Sequence, residues 1–267
     1  GQIRFDTGDE GGFLHQFDQL GSELTGDRES LGMVCHSVRA VPLERFQRMR
    51  EEARSRDVVF HLHLEEVVRE IEDCHGVHGK GPMRTLLDGG VIDERTTAVH
   101  CTHSTREDLL DFGNAGGIVC LCPLTEGNLG DGIPDVPAMR EAGCRIAIGG
   151  DLNARIAPTE ELRMLEYEQR MNLQSRGIMQ NTQGLSGPAL LACGTSHGAE
   201  SLGVNSGVFE QGRLADMVAV DLGHPSLAGV EPEHLLSAIL MGTGPEAISG
   251  TCVGGTWLYG GPSSECR

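Results

Sequence analysis

Histidine and carboxylate residues follow three apolar segments of this chain. His63 ends the run 58–63 with Glu66 three residues later, His100 ends the run 97–100, and Asp151 follows Ile148-Gly149-Gly150. Imidazole and carboxylate groups are zinc ligands, and zinc lowers the pKa of a water that it binds toward about 7. A nearby carboxylate can accept the proton of that water and pass it to a leaving group. These residues therefore indicate metal-assisted hydrolysis.

Each of these residues also has a purely structural interpretation. A histidine in a strand more often packs in the core, and His61, which faces the same way as His63, would lie one layer deeper. Asp151 could cap the helix that follows it. His103 is more consistent with a loop or supporting position than with catalysis. The spacing by itself leaves these alternatives open.

The elements that carry these residues alternate between strand and helix. The predicted strands are almost continuously apolar, as parallel strands covered on both faces should be, and the alternation predicts parallel βα units. The last long helix has Thr159 as its expected N-cap. The predicted strands are 31–36, 58–63, 97–101, 118–122 and 145–149, and the predicted helices are 42–55, 66–74, 105–112, 136–142, 159–171 and 188–202.

The predicted fold class is α/β, a (β/α)₈ TIM-type barrel. Polar residues gather at the carboxyl ends of the strands, where such barrels carry their active sites. No Gly-x-Gly-x-x-Gly motif follows any strand, which disfavours a dinucleotide-binding open sheet. Five βα units occupy about 140 residues, whereas a full barrel takes about 250. We therefore expect about the last five units in this chain and three more upstream.

The end of the chain departs from the βα pattern. The segments 212–221 and 253–259 predict strands of a small β structure. We expect a partial catalytic barrel over residues 1–204 and the C-terminal part of a small β-sandwich, with the tail, over residues 205–267.

These features together resemble the amidohydrolase superfamily. The order of histidine on strand five with glutamate three residues later, histidine on strand six and aspartate on strand eight is similar to the pattern of that family. A closer resemblance is to formimidoylglutamate deiminases, enzymes of histidine degradation. The segments that carry it are 36–41, 63–74, 99–103, 125–133 and 160–167, and 212–221 resembles the start of the family's β-sandwich.

The resemblance implies roles for the residues at the strand ends. His63 and Asp151 would be ligands of one Zn²⁺ ion. Glu66, His100 and Asp151 would be catalytic, with Glu66 and Asp151 handling the protons of the water and His100 stabilising the tetrahedral centre.

Two further residues would bind the substrate. His36 and Arg39 would lie beside it, and Arg39 would pair with a substrate carboxylate, which its guanidinium fork fits in two parallel hydrogen bonds. The chain departs from the family at Gly150, where serine is usual, at Asn153, where histidine is common, and at Glu65, where a small residue stands. These departures leave the substrate preference less defined.

A larger departure lies at the start of the chain. The family's first strand carries a His-x-His pair that supplies two zinc ligands, and no equivalent precedes Leu31. We therefore expect an N-terminally truncated sequence. Two ligands hold zinc poorly, and a partial barrel has open edges, so the chain alone is expected to be inactive or unstable.

The expected activity is hydrolysis of N-formimino-L-glutamate to N-formyl-L-glutamate and ammonia. The alternatives are another amidohydrolase deaminase, acting on a ring such as guanine or cytosine, and an inactive fragment. A ring deaminase would keep His63, Glu66, His100 and Asp151 but would not need Arg39.

Composition limits the partners. The net charge of −18 argues against nucleic acid, and no apolar run approaches the roughly 20 residues of a membrane helix. The nine cysteines form no Cys-x-x-Cys pair and are expected as free thiols in a reducing cytoplasm. The expected partner is a small-molecule substrate with carboxylates. The composition does not decide whether the chain also forms a homodimer.

Overall fold

A parallel five-stranded sheet forms the centre of the computed structural model, which describes residues 9–26, 28–153 and 155–261. Neighbouring strands pair in parallel and in chain order, which confirms the predicted βα units. The first strand is much shorter than predicted. The strands are β1 Met33–Val34, β2 Phe60–Leu64, β3 Thr96–His100, β4 Ile118–Leu121 and β5 Arg145–Ile148.

Helices separate and follow these strands. The predicted helices are present. Four further helices were not predicted, and two of them, with seven residues each, are too short to show a helical period. The four are Glu10–Glu23, Pro82–Asp88, Pro123–Leu129 and Leu235–Gly242. The helices are α1 Glu10–Glu23, α2 Leu43–Ser55, α3 Val68–His78, α4 Pro82–Asp88, α5 Arg106–Asn114, α6 Pro123–Leu129, α7 Val136–Glu141, α8 Pro158–Leu173, α9 Ser186–Gly194, α10 Ser196–Leu202 and α11 Leu235–Gly242.

Two helix predictions were wrong in detail. Thr159 is not the N-cap of α8, because Ala157 occupies that position and Pro158 is the first helical residue, a place where its missing N–H costs nothing. The predicted helix 188–202 is two helices, broken at Thr195, whose φ and ψ are −129° and −90°. Gly194 and Thr195 have low helix propensity, which explains why the helix breaks there.

The two faces of β2 show how the sheet separates core from site. Phe60, Leu62 and Leu64 are fully buried, and the ring of Phe60 packs edge-on against Phe46 of α2. The alternate residues, including His61, are only half-buried. Nε2 of His61 lies 2.7 Å from the carbonyl oxygen of Ser201, which follows from its position on the face toward α10. One face of the strand therefore builds the core and the other carries histidines.

A second, antiparallel sheet lies in the C-terminal part of the chain. Its strands are β6 Met217–Val220, β7 Ile248–Val253 and β8 Thr256–Gly260. The predicted strand 253–259 is confirmed over β8 but began too early, because residues 253–255 belong to the end of β7 and the turn of the hairpin. Gly254 and Gly255 form that turn with φ of 51° and 81°, the positive values that a two-residue hairpin turn of this kind requires.

The segment between β6 and β7 returns to the first sheet's helices. α11 packs against α9, and Leu240 of α11 belongs to the main hydrophobic core. The predicted division between residues 204 and 205 stays a prediction. Within the described ranges, no helix has the length and apolar character needed to cross a membrane, and the eight cysteines there are free.

Candidate active site

Three of the predicted site residues converge at the carboxyl ends of the parallel strands. Glu66 follows β2 by two residues, His100 ends β3 and Asp151 follows β5 by three. Nε2 of His100 lies 3.8 Å from Oε1 of Glu66 and 4.0 Å from Oδ2 of Asp151. An imidazole between two carboxylates can exchange protons with both and stabilise charge that develops beside them.

The backbone is strained where the strands end at this edge. Glu65, His100, Cys101 and Asp151 have φ of 54°, 78°, 54° and 42°, the left-handed region that non-glycine residues rarely adopt. Each such residue costs on the order of 1–3 kcal/mol, and such residues concentrate at functional sites. The chain leaves the strands sharply at these positions, and of the four side chains His100 and Asp151 face each other at 4.0 Å.

His100 is held by a carboxylate that the sequence pattern did not single out. Nδ1 of His100 lies 3.1 Å from Oε1 of Glu126, which also accepts from the backbone N–H of Cys122 at 3.0 Å. Both side chains are buried. Because a carboxylate accepts, Nδ1 carries the hydrogen. Burial lowers the pKa of His100, but the hydrogen bond and charge of Glu126, with Glu66 and Asp151, raise it above its ordinary value.

Glu126 lies on α6, within the segment 125–133 that carries the family resemblance. Pro123 starts this helix, and Oγ1 of Thr125 donates to the carbonyl oxygen of Gly150 at 2.9 Å. The helix therefore ties the loop before Asp151 to the acceptor of His100. The specificity of this segment was the one feature of the sequence that could have identified Glu126.

His63 and His36 form a second pair of rings beside His100. The centroids of His36 and His63 are 4.9 Å apart, and His63 stacks on His100 at 5.5 Å. Nδ1 of His63 lies 3.0 Å from the carbonyl oxygen of His36. A carbonyl only accepts, so Nδ1 carries the hydrogen and the Nε2 lone pair stays free. Metal-ligating histidines are typically oriented by such a bond.

Arg39 is engaged by a residue of the site itself. Its Nη2 donates to Oε2 of Glu66 at 2.6 Å, and its Nε donates to Oγ of Ser37 at 3.2 Å. Burial raises the pKa of Glu66, but the bond to Arg39 and the charge of His100 outweigh it and lower that pKa below its usual value. The residue predicted to bind a substrate carboxylate thus binds a carboxylate of the protein.

Two more carboxyl groups near this edge were missed. Oε2 of Glu70 accepts from the backbone N–H of Glu66 at 3.2 Å, and burial raises the pKa of Glu70 to about 7. Oδ2 of Asp131 is buried without a hydrogen-bond partner in the described part of the chain. Burial, followed by the charge of Glu66, raises the pKa of Asp131. Neither residue stands at a strand end, so the strand pattern could not identify them.

The family departures have simple structural consequences. Glu65 is buried and accepts from the backbone N–H of Met83 at 3.0 Å and from Oγ of Ser104 at 2.6 Å, so it anchors the strand exit. A Cβ at Gly150 would meet nothing within 4 Å, so the space for a serine is present. Nδ2 of Asn153 donates to the carbonyl oxygen of Arg155 within the loop.

The side chains at this edge of the sheet are of the kinds that bind a divalent metal. They are too few to form a complete set of ligands. His63 offers an imidazole nitrogen, and Nε2 of His100 is buried without a hydrogen-bond partner among the described residues. Across residues 9–26, 28–153 and 155–261, no group of three or more His, Cys, Asp or Glu side chains is placed to hold a metal ion. Structural zinc sites need four ligands and catalytic ones three, so these residues account for only part of a site.

Comparison with known proteins gives a consistent family. Residues 28–258 match the sequence profile of the amidohydrolase family. The chain is 32% identical over 259 residues to the formimidoylglutamate deiminase of Pseudomonas aeruginosa, covering 97% of this chain and 57% of that protein. It is 30% identical over 235 residues to the 5-methylthioadenosine/S-adenosylhomocysteine deaminase of Halobacterium salinarum, covering 87% and 53%. The chain thus spans just over half the length of these relatives.

A solved structure gives the same fold. The adenosine deaminase of Xanthomonas campestris, crystallised with bound zinc, superimposes with a TM-score of 0.84 at 24% identity, covering 94% of this chain and 57% of that one. This likeness confirms the predicted amidohydrolase α/β fold.

Proposed function

Since this chain belongs to the amidohydrolase family, we propose that it carries the proton-transfer and substrate-binding half of an enzyme that hydrolyses N-formimino-L-glutamate to N-formyl-L-glutamate and ammonia. The observation that carries the proposal is the convergence of Glu66, His100 and Asp151 at one edge of the sheet. The arginine bonded to Glu66 suits a substrate that bears carboxylates.

A divalent metal, with zinc as the first candidate, would be held by His63 and Asp151, with the remaining ligands outside the described residues. When bound, it would supply a Lewis acid that lowers the pKa of water. The free Nε2 of His63 and the chemistry of the Asp151 carboxylate support this assignment. The zinc bound in the structurally similar Xanthomonas campestris enzyme supports it as well.

The proton transfers fall to Glu66 and Asp151. Glu66 takes one proton of the attacking water, whose oxygen bonds to the formimino carbon, and returns that proton to the imino nitrogen. The second proton passes from the new hydroxyl to the same nitrogen through Asp151, and the carbon–nitrogen bond breaks to release ammonia. His100, oriented by its hydrogen bond to Glu126, stabilises the negative charge that develops beside its Nε2.

A second candidate is deamination of an adenosine-type ring. The Halobacterium salinarum relative, at 30% identity, favours it. Of the two nucleosides in that relative's name, 5-methylthioadenosine offers no carboxylate for the guanidinium of Arg39, whereas S-adenosylhomocysteine carries one. The position of Arg39 against the site therefore favours the formimino substrate over 5-methylthioadenosine.

Turnover separates the two candidates. The longest natural polypeptide that contains these residues is supplied with zinc and offered N-formimino-L-glutamate or 5-methylthioadenosine, and ammonia release is measured. We expect release from the formimino compound. Release from the nucleoside alone would reject the proposed substrate, and release from neither would reject the proposed reaction.

A further inference from the structure

The ion pair between Arg39 and Glu66 joins two groups to which the proposed function gives separate tasks. Nη2 of Arg39 lies 2.6 Å from Oε2 of Glu66, while the other oxygen of Glu66 lies 3.8 Å from Nε2 of His100. The proposed function assigns Arg39 to a substrate carboxylate and Glu66 to a proton of the water. In the structure, these two side chains instead bind each other.

We propose that this ion pair is a latch that a carboxylate-bearing substrate opens. The substrate carboxylate takes the place of Glu66 on Arg39, and Glu66 is released to act on the water. The inference rests on the proposed function for its substrate. It adds that Arg39 controls the state of Glu66 in addition to binding the substrate.

The contacts of Arg39 suit an exchange of one carboxylate for another. Its Nε also donates to Oγ of Ser37, and Oε2 of Glu70 lies 3.8 Å from the same nitrogen. These groups hold the base of the guanidinium while Nη2 changes partner. Charge-assisted bonds to a carboxylate are about twice as strong as neutral ones, so a second carboxylate is the kind of ligand that can compete with Glu66.

The surroundings leave room for that second carboxylate. The Arg39 side chain is 33% exposed, whereas Glu66 is 14% exposed. Arg39 also borders a cavity of about 670 Å³ with Val38, Val41 and Val77 among its apolar walls. Within the described ranges, the guanidinium is therefore partly open to a ligand.

If Arg39 only bound the substrate, its ion pair with Glu66 would not affect proton transfer. In the latch, that ion pair does affect it. A nearby cation stabilises the charged form of a carboxylate, so Glu66 on Arg39 is a poor proton acceptor. A substrate without a carboxylate leaves the latch closed and is turned over slowly even when it is bound. Selection for acidic substrates then operates on kcat as well as on KM.

Binding to the longest natural polypeptide that contains these residues tests the competition directly. Glutarate serves as the probe, and its affinity is measured by titration calorimetry. Glu66→Gln removes the competing charge and should tighten glutarate binding about threefold to tenfold, since the competent state becomes more populated. Glu72→Gln removes one exposed charge from the neighbouring helix α3 and is the matched control. Arg39→Gln should abolish binding.

The binding result is decisive either way. Glutarate affinity in Glu66→Gln that is no higher than in Glu72→Gln would overturn the latch, as would undiminished binding to Arg39→Gln. Thermal unfolding of each variant confirms that the fold is intact. This test does not depend on turnover, so it stands even if the proposed reaction is wrong.

Turnover in the longest natural polypeptide provides the second test. Arg39→Gln should lower the rate with N-formimino-L-glutamate but raise kcat about threefold or more with N-propylformamidine, which lacks carboxylates, because Glu66 is then free. An unchanged or lower kcat with N-propylformamidine would mean that Arg39 is only an anchor. Failure of the unaltered enzyme to act on N-formimino-L-glutamate would instead contradict the proposed function.

Discussion

His100 donates its Nδ1 hydrogen to Oε1 of Glu126 at 3.1 Å, and its Nε2 faces Glu66 and Asp151. The bond links β3 to the start of α6 and joins two fully buried side chains. The bond fixes the hydrogen on Nδ1 of His100. It also places the negative charge of Glu126 beside that nitrogen, on the side of the ring away from Nε2. Glu126 is thus the structural reason that His100 can present Nε2 to the reacting atoms.

Glu126→Gln should therefore reduce turnover without unfolding the protein. The amide keeps the shape of the side chain but removes its charge, and the loss of such an orienting partner typically costs about 10- to 100-fold. Steady-state ammonia release measures the effect. Glu107→Gln, on the exposed face of α5, is the control and should retain full activity. Equal activity of the two variants would show that Glu126 has no part in orienting His100.

Gly113 marks a close contact between α5 and α7. A Cβ at this position would lie 2.1 Å from the carbonyl oxygen of Ala142, so Gly113→Ala should destabilise the fold by about 1–3 kcal/mol through overpacking. Gly76→Ala in α3, where a Cβ meets nothing within 4 Å, should instead stabilise it by about 0.5–1 kcal/mol. Urea unfolding measures both, and a Gly113→Ala variant as stable as the unaltered protein would contradict the close contact.

The stability of the fold depends on pH through the buried carboxyl group of Glu168. Burial, followed by the charge of Glu126, raises its pKa from 4.5 to about 8. Between these values the folded protein binds a proton that the unfolded chain has released, so the stability contributed by this group is complete below pH 4.5 and is lost as the pH rises through about 8.

Glu168→Gln should remove that loss, because the amide imitates the protonated acid. The free energy of unfolding of this variant should fall less between about pH 5 and about pH 8.5 than that of the unaltered chain. Glu51→Gln, at an exposed position of α2, should leave the dependence unchanged. Identical pH dependence in the unaltered chain and Glu168→Gln would contradict a raised pKa.

The sequence was sufficient to predict the five parallel strands and to place the candidate catalytic residues near their carboxyl ends. Apolar runs define where parallel strands end, and a polar residue just past such a run must lie at the carboxyl edge of the sheet. This pattern alone placed Glu66, His100 and Asp151 together. The spacing could not reveal how far apart their atoms are, since that depends on the sharp left-handed turns at His100 and Asp151.

The partners of these residues could not be predicted. Glu126 is 26 residues from His100 and Arg39 is 27 residues from Glu66, and no local pattern links such pairs. The β7–β8 hairpin was missed for a different reason, because the Gly254-Gly255 turn lies inside an otherwise strand-like segment. The break at Thr195 was missed because the helical period continues across it.

Glu66→Gln tests directly whether the Glu66 carboxylate transfers protons at this edge of the sheet. The measurement is ammonia release from N-formimino-L-glutamate by the longest natural polypeptide containing these residues, together with its zinc content. We expect turnover to fall by about 10²- to 10⁴-fold while the zinc content is unchanged, because Glu66 handles protons and does not bind the metal. Undiminished turnover with zinc retained would contradict the account.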